Sequence, residues 1–124
     1  MKELVIRKCK HCNAMVKVME ECNCSCGFVC CGEKMDEVVA NSTDAAFEKH
    51  IPTYEIKGDS IEVLVNHVME DDHYIEWISA VTDGEEQIKY LKPGMEAKAT
   101  FRYIEGMTLY SYCNKHSLWM VEVK

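Results

Sequence analysis

The segment YCNKHSLWM, residues 112–120, places a cysteine three positions before a histidine. A thiolate and an imidazole at this spacing, Cys113 and His116, can ligate one metal ion from the two sides of a turn. The alternative is a buried cysteine beside a half-exposed histidine at the end of a strand. The other histidines and cysteines of the chain bear on this choice.

Three further histidines have positions from which they could complete such a site. His50 lies two residues before a proline, and His67 and His73 lie on either side of the acidic stretch EDD. Four imidazoles and one thiolate suit iron or copper, and both metals require deprotonated ligands. The sequence therefore offers a five-ligand metal site, although scattered structural histidines explain the spacing equally well.

A second group of potential ligands lies near the start of the chain, where seven of the eight cysteines occur. Cys9 and Cys12 form a C-x-x-C turn, and Cys30 and Cys31 are adjacent. This pattern predicts a tetrahedral four-sulfur site, which zinc and iron both accept. Adjacent cysteines reach one metal only where the backbone bends, and Gly32 favours such a bend.

Three cysteines remain in the alternating stretch CNCSC, namely Cys22, Cys24 and Cys26. On an extended chain they would share one face. Four interpretations stay open: spare thiols, a redox pair, competing metal ligands and incidental loop residues. His11, inside the C-x-x-C turn, is interpreted as a bystander.

The composition limits the classes of function. The net charge of −7 argues against a nucleic-acid partner, which requires a basic face. No apolar run reaches the roughly 20 residues that span a bilayer, and MKELVIRKCK lacks the features of a signal peptide. We therefore expect a cytoplasmic protein without a membrane partner, whose cysteines bind metal rather than form structural disulfides.

From residue 54 onward, the sequence pattern predicts β-strands, and these strands must position the candidate ligands. In SIEVLVNHVM, every second residue shares one face, namely Ile61, Val63, Val65, His67 and Met69, and EAKATFRYI alternates in the same way. In HYIEWISAV the same reasoning places His73, Ile75, Trp77 and Val81 on one side. Turn signals separate six or seven such runs, which predicts an immunoglobulin-like antiparallel β-sandwich.

The composition changes near residue 36. The preceding segment is too short to bury a sufficient core and needs a metal to stabilise its fold. We therefore predict a metal-binding domain over residues 1–36 and a β-sandwich over residues 37–124.

The chain resembles the desulfoferrodoxins, the two-iron superoxide reductases, over nearly its whole length. Residues 48–52, EKHIP, resemble the family's E-K-H-x-P motif. Residues 67–78, HVMEDDHYIEWI, resemble H-x-M-x-x-x-H-x-I-x-W-I, and residues 113–119, CNKHSLW, resemble C-N-x-H-x-x-W. The cysteine pairs at the start resemble a desulforedoxin-type domain, which implies an all-β protein with that small domain before a neelaredoxin-like sandwich.

The resemblance also implies a role for each matching residue. The catalytic iron would have five ligands: His50, His67, His73, Cys113 and His116. A second iron, or zinc in its place, would have four: Cys9, Cys12, Cys30 and Cys31. Lys49 would be the cation beside the open coordination position, and Glu48 the carboxylate that can ligate the oxidised iron.

The implied activity is the one-electron reduction of superoxide to hydrogen peroxide at a ferrous iron. A rubredoxin-like donor would reduce the iron again, as part of oxidative-stress defence in an anaerobe, and the protein would be a homodimer. Two alternatives are an iron protein that only transfers electrons and an interaction module with a structural zinc. Val68 and Ser117 depart from the family pattern, which usually has proline and glycine there, but neither replaces a ligand.

Overall fold

The computed structural model describes residues 4–42 and 50–124, and all of the secondary structure in those ranges is β-strand. The chain forms two compact units, with the boundary after Val39. This boundary lies three residues beyond the change in composition, because the strand Asp36–Glu37 pairs with Ile6–Lys8 and so continues the first unit.

The first unit contains five short strands: β1 (Ile6–Lys8), β2 (Met15–Lys17), β3 (Val29–Cys30), β4 (Glu33–Lys34) and β5 (Asp36–Glu37). They form a three-stranded sheet in the order β2-β1-β5 and a separate hairpin of β3 and β4. Ile6 and Cys9 are the buried apolar residues of this unit among those the structure describes. So small a core agrees with the expectation that the unit needs a metal to stabilise it.

The second unit is a sandwich of seven antiparallel strands: β6 (Pro52–Lys57), β7 (Ser60–Val65), β8 (Ile75–Val81), β9 (Glu86–Tyr90), β10 (Lys98–Arg102), β11 (Thr108–Cys113) and β12 (Ser117–Glu122). One sheet has the order β10-β7-β6 and the other β12-β11-β8-β9. The predicted all-β class, with a four-cysteine cluster ahead of an antiparallel sandwich, is confirmed.

The alternation predicted for β7 and β10 is present. Ile61, Val63 and Val65 are at most 2% exposed and pack in the core with Ala99 and Phe101. The inward residues of the two sheets therefore form one apolar core. In contrast, every residue of β11 is buried, because this strand lies between β8 and β12.

The face predicted for β8 is wrong beyond its first residue. The pairing of β11 with β8 shifts register where Tyr112 pairs with Trp77 and Cys113 with Ile75, so Glu76 is an extra residue. A bulge of one residue reverses the alternation that follows it. Ile75 therefore shares the core with Ile78 and Ala80, whereas Trp77 stacks on Tyr112.

In the described part of the chain, no helix has the length and apolar character required to cross a membrane.

Candidate metal centres

Five side chains converge at one end of the second unit. His50 precedes β6, His67 and His73 lie in the connection between β7 and β8, Cys113 ends β11, and His116 lies in the turn before β12. One donor atom from each lies within 4.8 Å of the others. The structure thus brings together the five residues that the sequence offers as ligands of a single metal.

The donor atoms of these five side chains are directed at one another. His50 Nε2 lies 2.9 Å from His116 Nδ1, and Cys113 Sγ lies 3.4 Å from His67 Nε2. Among the described residues, His73 Nε2 is buried and has no hydrogen-bond partner. A buried nitrogen without a partner is costly, and a metal ion at this point would satisfy it. Four imidazoles and a thiol are a donor set that fits iron.

The ring of His67 shows how the backbone selects the ligating nitrogen. Its Nδ1 lies 2.6 Å from the carbonyl oxygen of Val68, which can only accept, so Nδ1–H is the donor and Nε2 faces the other donor atoms. Burial lowers the pKa of His67, and the neighbouring histidines lower it further, while the bond to Val68 acts in the opposite direction. Burial and the neighbouring histidines thus both favour the neutral ring of His67, which is the form that binds metal.

The turn that carries His73 is closed by main-chain bonds. The N–H of Glu70 donates to the carbonyl of His73, and the N–H of His73 donates to the carbonyl of Glu70, at 3.0 and 3.2 Å. Asp71 and Asp72 form the exposed tip between them. The acidic stretch therefore acts as a tight turn that brings His73 back toward His67.

Two residues to which the sequence assigns no role support the histidines. Asn114 accepts a hydrogen bond from the N–H of Tyr74 and donates one to the carbonyl of Asp72, at 3.0 and 2.9 Å. It therefore fixes the two residues that flank His73 beside the turn after Cys113. Buried Ser111 donates to the carbonyl of His50 at 2.9 Å. The motif C-N-x-H-x-x-W includes Asn114 but does not reveal its partners, because these contacts join segments that are distant in sequence.

Trp119 supports both His50 and His116. Its ring stacks on that of His50 with centroids 4.9 Å apart, and its Nε1–H donates to the carbonyl of His116 at 2.9 Å. The tryptophan is 1% exposed, so its ring is packed on all sides and supports the two histidines. The spacing CNKHSLW signals this contact, since it places the ring three residues after His116.

Glu48 and Lys49, the two residues predicted at the open side of this site, lie outside the described residues.

The second cluster lies in the first unit and contains Cys9, Cys12, Cys30 and Cys31, whose sulfurs lie within 4.8 Å of one another. Cys12 Sγ is 3.6 Å from Cys30 Sγ, which is 4.0 Å from Cys31 Sγ. A metal with bonds of about 2.3 Å to four tetrahedral thiolates separates the sulfurs by roughly 3.8 Å. The four cysteines therefore fit a zinc or iron ion.

The proton affinities of these thiols differ strongly. The backbone N–H groups of Cys12 and His11 donate to Cys9 Sγ and lower the pKa of that thiol to about 6. The hydrogen bond to Cys12 raises the pKa of Cys30 to about 12, and the pKa of Cys31 is also raised. Like charges this close oppose one another, so a cation is needed before all four ionise.

The adjacent cysteines lie on a two-residue hairpin turn. Cys30 pairs with Glu33, and the residues between them, Cys31 and Gly32, have φ of 52° and 80°. Two successive positive φ values define a type I′ turn, whose twist matches that of the flanking strands. The predicted bend is therefore a left-handed turn that brings the Cys31 side chain to the cluster.

The side chain of His11 and the other three cysteines of this unit are not part of the four-cysteine cluster. The Nε2 of His11 lies 2.8 Å from Glu33 Oε1 at the surface. Among the described residues, Cys22, Cys24 and Cys26 belong to neither cluster, and Cys24 is disulfide-bonded to Cys26.

Comparisons with known proteins agree with this geometry. Residues 42–122 match the family model described as Desulfoferrodoxin. The desulfoferrodoxin of Clostridium acetobutylicum is 41% identical over 99 residues, which cover 77% of this chain and 79% of that one.

Solved structures are similar too. The superoxide reductase of Treponema pallidum has a TM-score of 0.71 at 28% identity, covering 97% of this chain and 99% of its own. The one-iron superoxide reductase of Giardia intestinalis has a TM-score of 0.55 at 26% identity. The match covers 62% of this chain and 98% of that one.

Proposed function

The chain belongs to the desulfoferrodoxin family, and from this premise we propose that it is a superoxide reductase that reduces superoxide to hydrogen peroxide. The observation that carries the proposal is the convergence of four imidazoles and one thiol within 4.8 Å in a fold shared with the superoxide reductase of Treponema pallidum. Iron bound by these five residues supplies the single electron and a coordination position for a small anion.

The chain's own residues hold this site in a fixed geometry. Trp119 and Ser111 fix His50 from two directions, and Asn114 fixes the segment that carries His73. Cys113 is fully buried, so its sulfur is shielded from solvent and from competing oxidants. Preorganisation of this kind keeps the ligands in place when the charge of the site changes.

Substrate attraction requires a local positive charge, because the chain carries a net charge of −7 and repels anions at long range. We assign this role to Lys49, which immediately precedes the 4% exposed His50. Glu48 is the carboxylate that we assign to the oxidised site. The family motif E-K-H-x-P supports both assignments.

We propose that the four-cysteine cluster holds a second metal, iron or zinc, in a desulforedoxin-like domain. The sequence predicts this domain over residues 1–36, and we extend it to Val39 because β5 pairs with β1. The neelaredoxin-like catalytic domain, predicted over residues 37–124, then begins at Ala40. The family model, which matches residues 42–122, supports this division because its match begins after the first unit ends. The second iron either relays electrons or only stabilises its domain.

The physiological setting is also part of the proposal. Free thiolates at both clusters require a reducing compartment, which favours the cytoplasm. The electron donor is a rubredoxin-like iron protein, the biological role is defence against oxidative stress, and the assembly is a homodimer.

Product stoichiometry after anaerobic reduction tests the activity. A reductase releases one hydrogen peroxide per superoxide and consumes one electron from the protein, whereas dismutation releases one peroxide per two superoxides together with dioxygen. We expect the first ratio for the native protein and its loss in His73→Ala. The matched control is His11→Ala, whose histidine lies outside the five-residue cluster and which should retain the native ratio. Release of dioxygen in proportion to peroxide would contradict the proposal.

A further inference from the structure

The stretch CNCSC forms a third cysteine group beside the four-cysteine cluster. Cys24 and Cys26 are joined by a disulfide, and Cys22 is a free thiol. All three residues are exposed. The proposed superoxide reduction uses none of them.

The loop that carries these cysteines is fixed at several points. Arg7 makes two contacts of 2.7 Å with the carboxylate of Glu21 and lies over the ring of Phe28 at 5.5 Å. Lys34 Nζ donates to the carbonyl of Ser25 at 2.7 Å. The loop is therefore held to β1 through residues on both sides of the cysteine pair and to β4 through Ser25 between them, so the two cysteines stay close when the disulfide is broken.

The separation of the pair suits a bond that can form and break. The Cα atoms of Cys24 and Cys26 are 5.6 Å apart, within the usual range for a disulfide. Because both side chains are exposed, an oxidant or a reducing thiol can reach either sulfur. The loop does not have to unfold for this chemistry.

A third metal site does not explain the group. Among the described residues, the three sulfurs do not form a cluster of metal-binding size, unlike the other five cysteines and their partners. Cys22 Sγ instead donates to the carbonyl of Cys24 at 3.4 Å. The geometry favours redox chemistry at two sulfurs over coordination by three.

We propose that Cys24 and Cys26 are a redox-active pair that hydrogen peroxide oxidises to a disulfide and a dithiol reduces again. One thiolate attacks a peroxide oxygen, the O–O bond breaks, and a sulfenic acid and water form. The second thiol then displaces water from the sulfenic sulfur as the S–S bond forms. Two thiols and one peroxide thus give one disulfide and two waters.

The source of the oxidant rests on the proposed function, which releases peroxide from the same chain. The pair is exposed, as are Cys12 and Cys31 of the four-cysteine cluster, whereas Cys9 and Cys113 are buried. Peroxide therefore reaches the pair more readily than it reaches those buried ligands. Disulfides in reducing compartments are typically transient and redox-active, as this assignment requires.

The test uses the full-length, metal-loaded protein, reduced with dithiothreitol, desalted anaerobically and treated with about one equivalent of added peroxide. Alkylation in denaturant, digestion and mass spectrometry then count the free thiols between Lys17 and Lys34. We expect the number of free thiols in this peptide to fall from five to three, and its mass to fall by two hydrogens. Fragment ions should locate the change at Cys24 and Cys26. Dithiothreitol should restore both thiols.

Cys24→Ser and Cys26→Ser should each abolish the disulfide, whereas the matched control Cys22→Ser should form it as the native protein does. Metal content and circular dichroism check that each variant is folded. The proposal is overturned if both thiols stay free, if they proceed to sulfinic acid, if the disulfide forms elsewhere, or if the loop binds a further metal equivalent. Because peroxide is added, this result does not depend on whether the protein reduces superoxide.

Discussion

At the scale of single residues, the proposed catalytic site depends on side chains that hold the ligands as well as on the ligands themselves. Asn114, Ser111 and Trp119 bind the main chain or the rings of the histidines. Such supporting contacts commonly change metal affinity by an order of magnitude or more when they are removed. Two single substitutions test how much the site depends on its local geometry.

Asn114→Ala should weaken iron binding and destabilise the second unit. The change removes two hydrogen bonds to the segment 72–74, each worth about 0.5–1.5 kcal/mol, so we expect a loss of about 1–3 kcal/mol. Chemical denaturation and competition with an iron chelator measure the two effects.

The matched control is Lys115→Ala. Lys115 also contacts Asp72, but through a 3.9 Å ion pair at the surface that should contribute little. Equal losses in the two variants would show that the amide has no special role.

Ser117→Gly should stabilise the protein. Ser117 has φ of 68°, where a side chain costs roughly 1–2 kcal/mol, while glycine loses about 0.5–1 kcal/mol more entropy on folding. The net gain is up to about 1.5 kcal/mol, visible as a higher midpoint of thermal unfolding. The structure thus gives a physical reason for the glycine that usually occupies this position in the family.

Ser117→Ala separates the backbone effect from loss of the hydroxyl, since alanine has the same difficulty at positive φ. The alanine variant should not raise the midpoint of thermal unfolding. An increase equal to that of the glycine variant would contradict backbone strain at this position.

At the scale of elements, hairpins and turns present several of the ligands. The β3–β4 hairpin presents Cys30 and Cys31, the turn before β8 presents His73, and the turn before β12 presents His116. Strands fix where each turn begins and ends, so a ligand set from distant segments can meet. A change in turn conformation should therefore weaken metal binding.

Gly32→Ala should weaken metal binding at the four-cysteine cluster. Gly32 has φ of 80°, and no neighbouring atom lies within 4 Å of the added methyl group, so the cost is conformational. We expect a penalty of about 1–2 kcal/mol, seen as faster release of that metal to a chelator.

Gly84→Ala is a suitable control, because this glycine is also unobstructed but does not have positive φ. Metal release at the native rate in both variants would show that the hairpin turn does not limit the site.

At the scale of the whole molecule, each cluster draws its ligands from one unit only. The double substitution Cys9→Ser and Cys12→Ser should therefore remove one metal per chain while the reaction with superoxide keeps its rate. Metal analysis gives the metal content per chain, and pulse radiolysis gives the rate of the reaction with superoxide. A rate that falls in step with the lost metal would instead assign the four-cysteine site an essential part in the reaction.

Sequence reasoning reached the sandwich through alternation in strands such as β7 and β10, where one face is buried and the other is not. It failed at β8, because a bulge at Glu76 reverses the alternation and no residue type marks it. It identified side chains that converge, since histidine and cysteine are uncommon and occur here in motifs. It could not identify Asn114 and Ser111 as supports, because their partners are set by tertiary contacts.

The central claim is that Cys113 and four histidines hold the iron that reacts with superoxide. The most direct measurement is the visible spectrum and iron content of the oxidised protein with Cys113→Ser, compared with Cys22→Ser as a control outside both clusters. Both substitutions are made together with Cys9→Ser and Cys12→Ser, so that iron bound by the four-cysteine cluster adds no thiolate absorption of its own. A thiolate bound to ferric iron absorbs in the red, so we predict that this band disappears with Cys113→Ser and persists with Cys22→Ser. A red band that survives the loss of Cys113 would contradict the account.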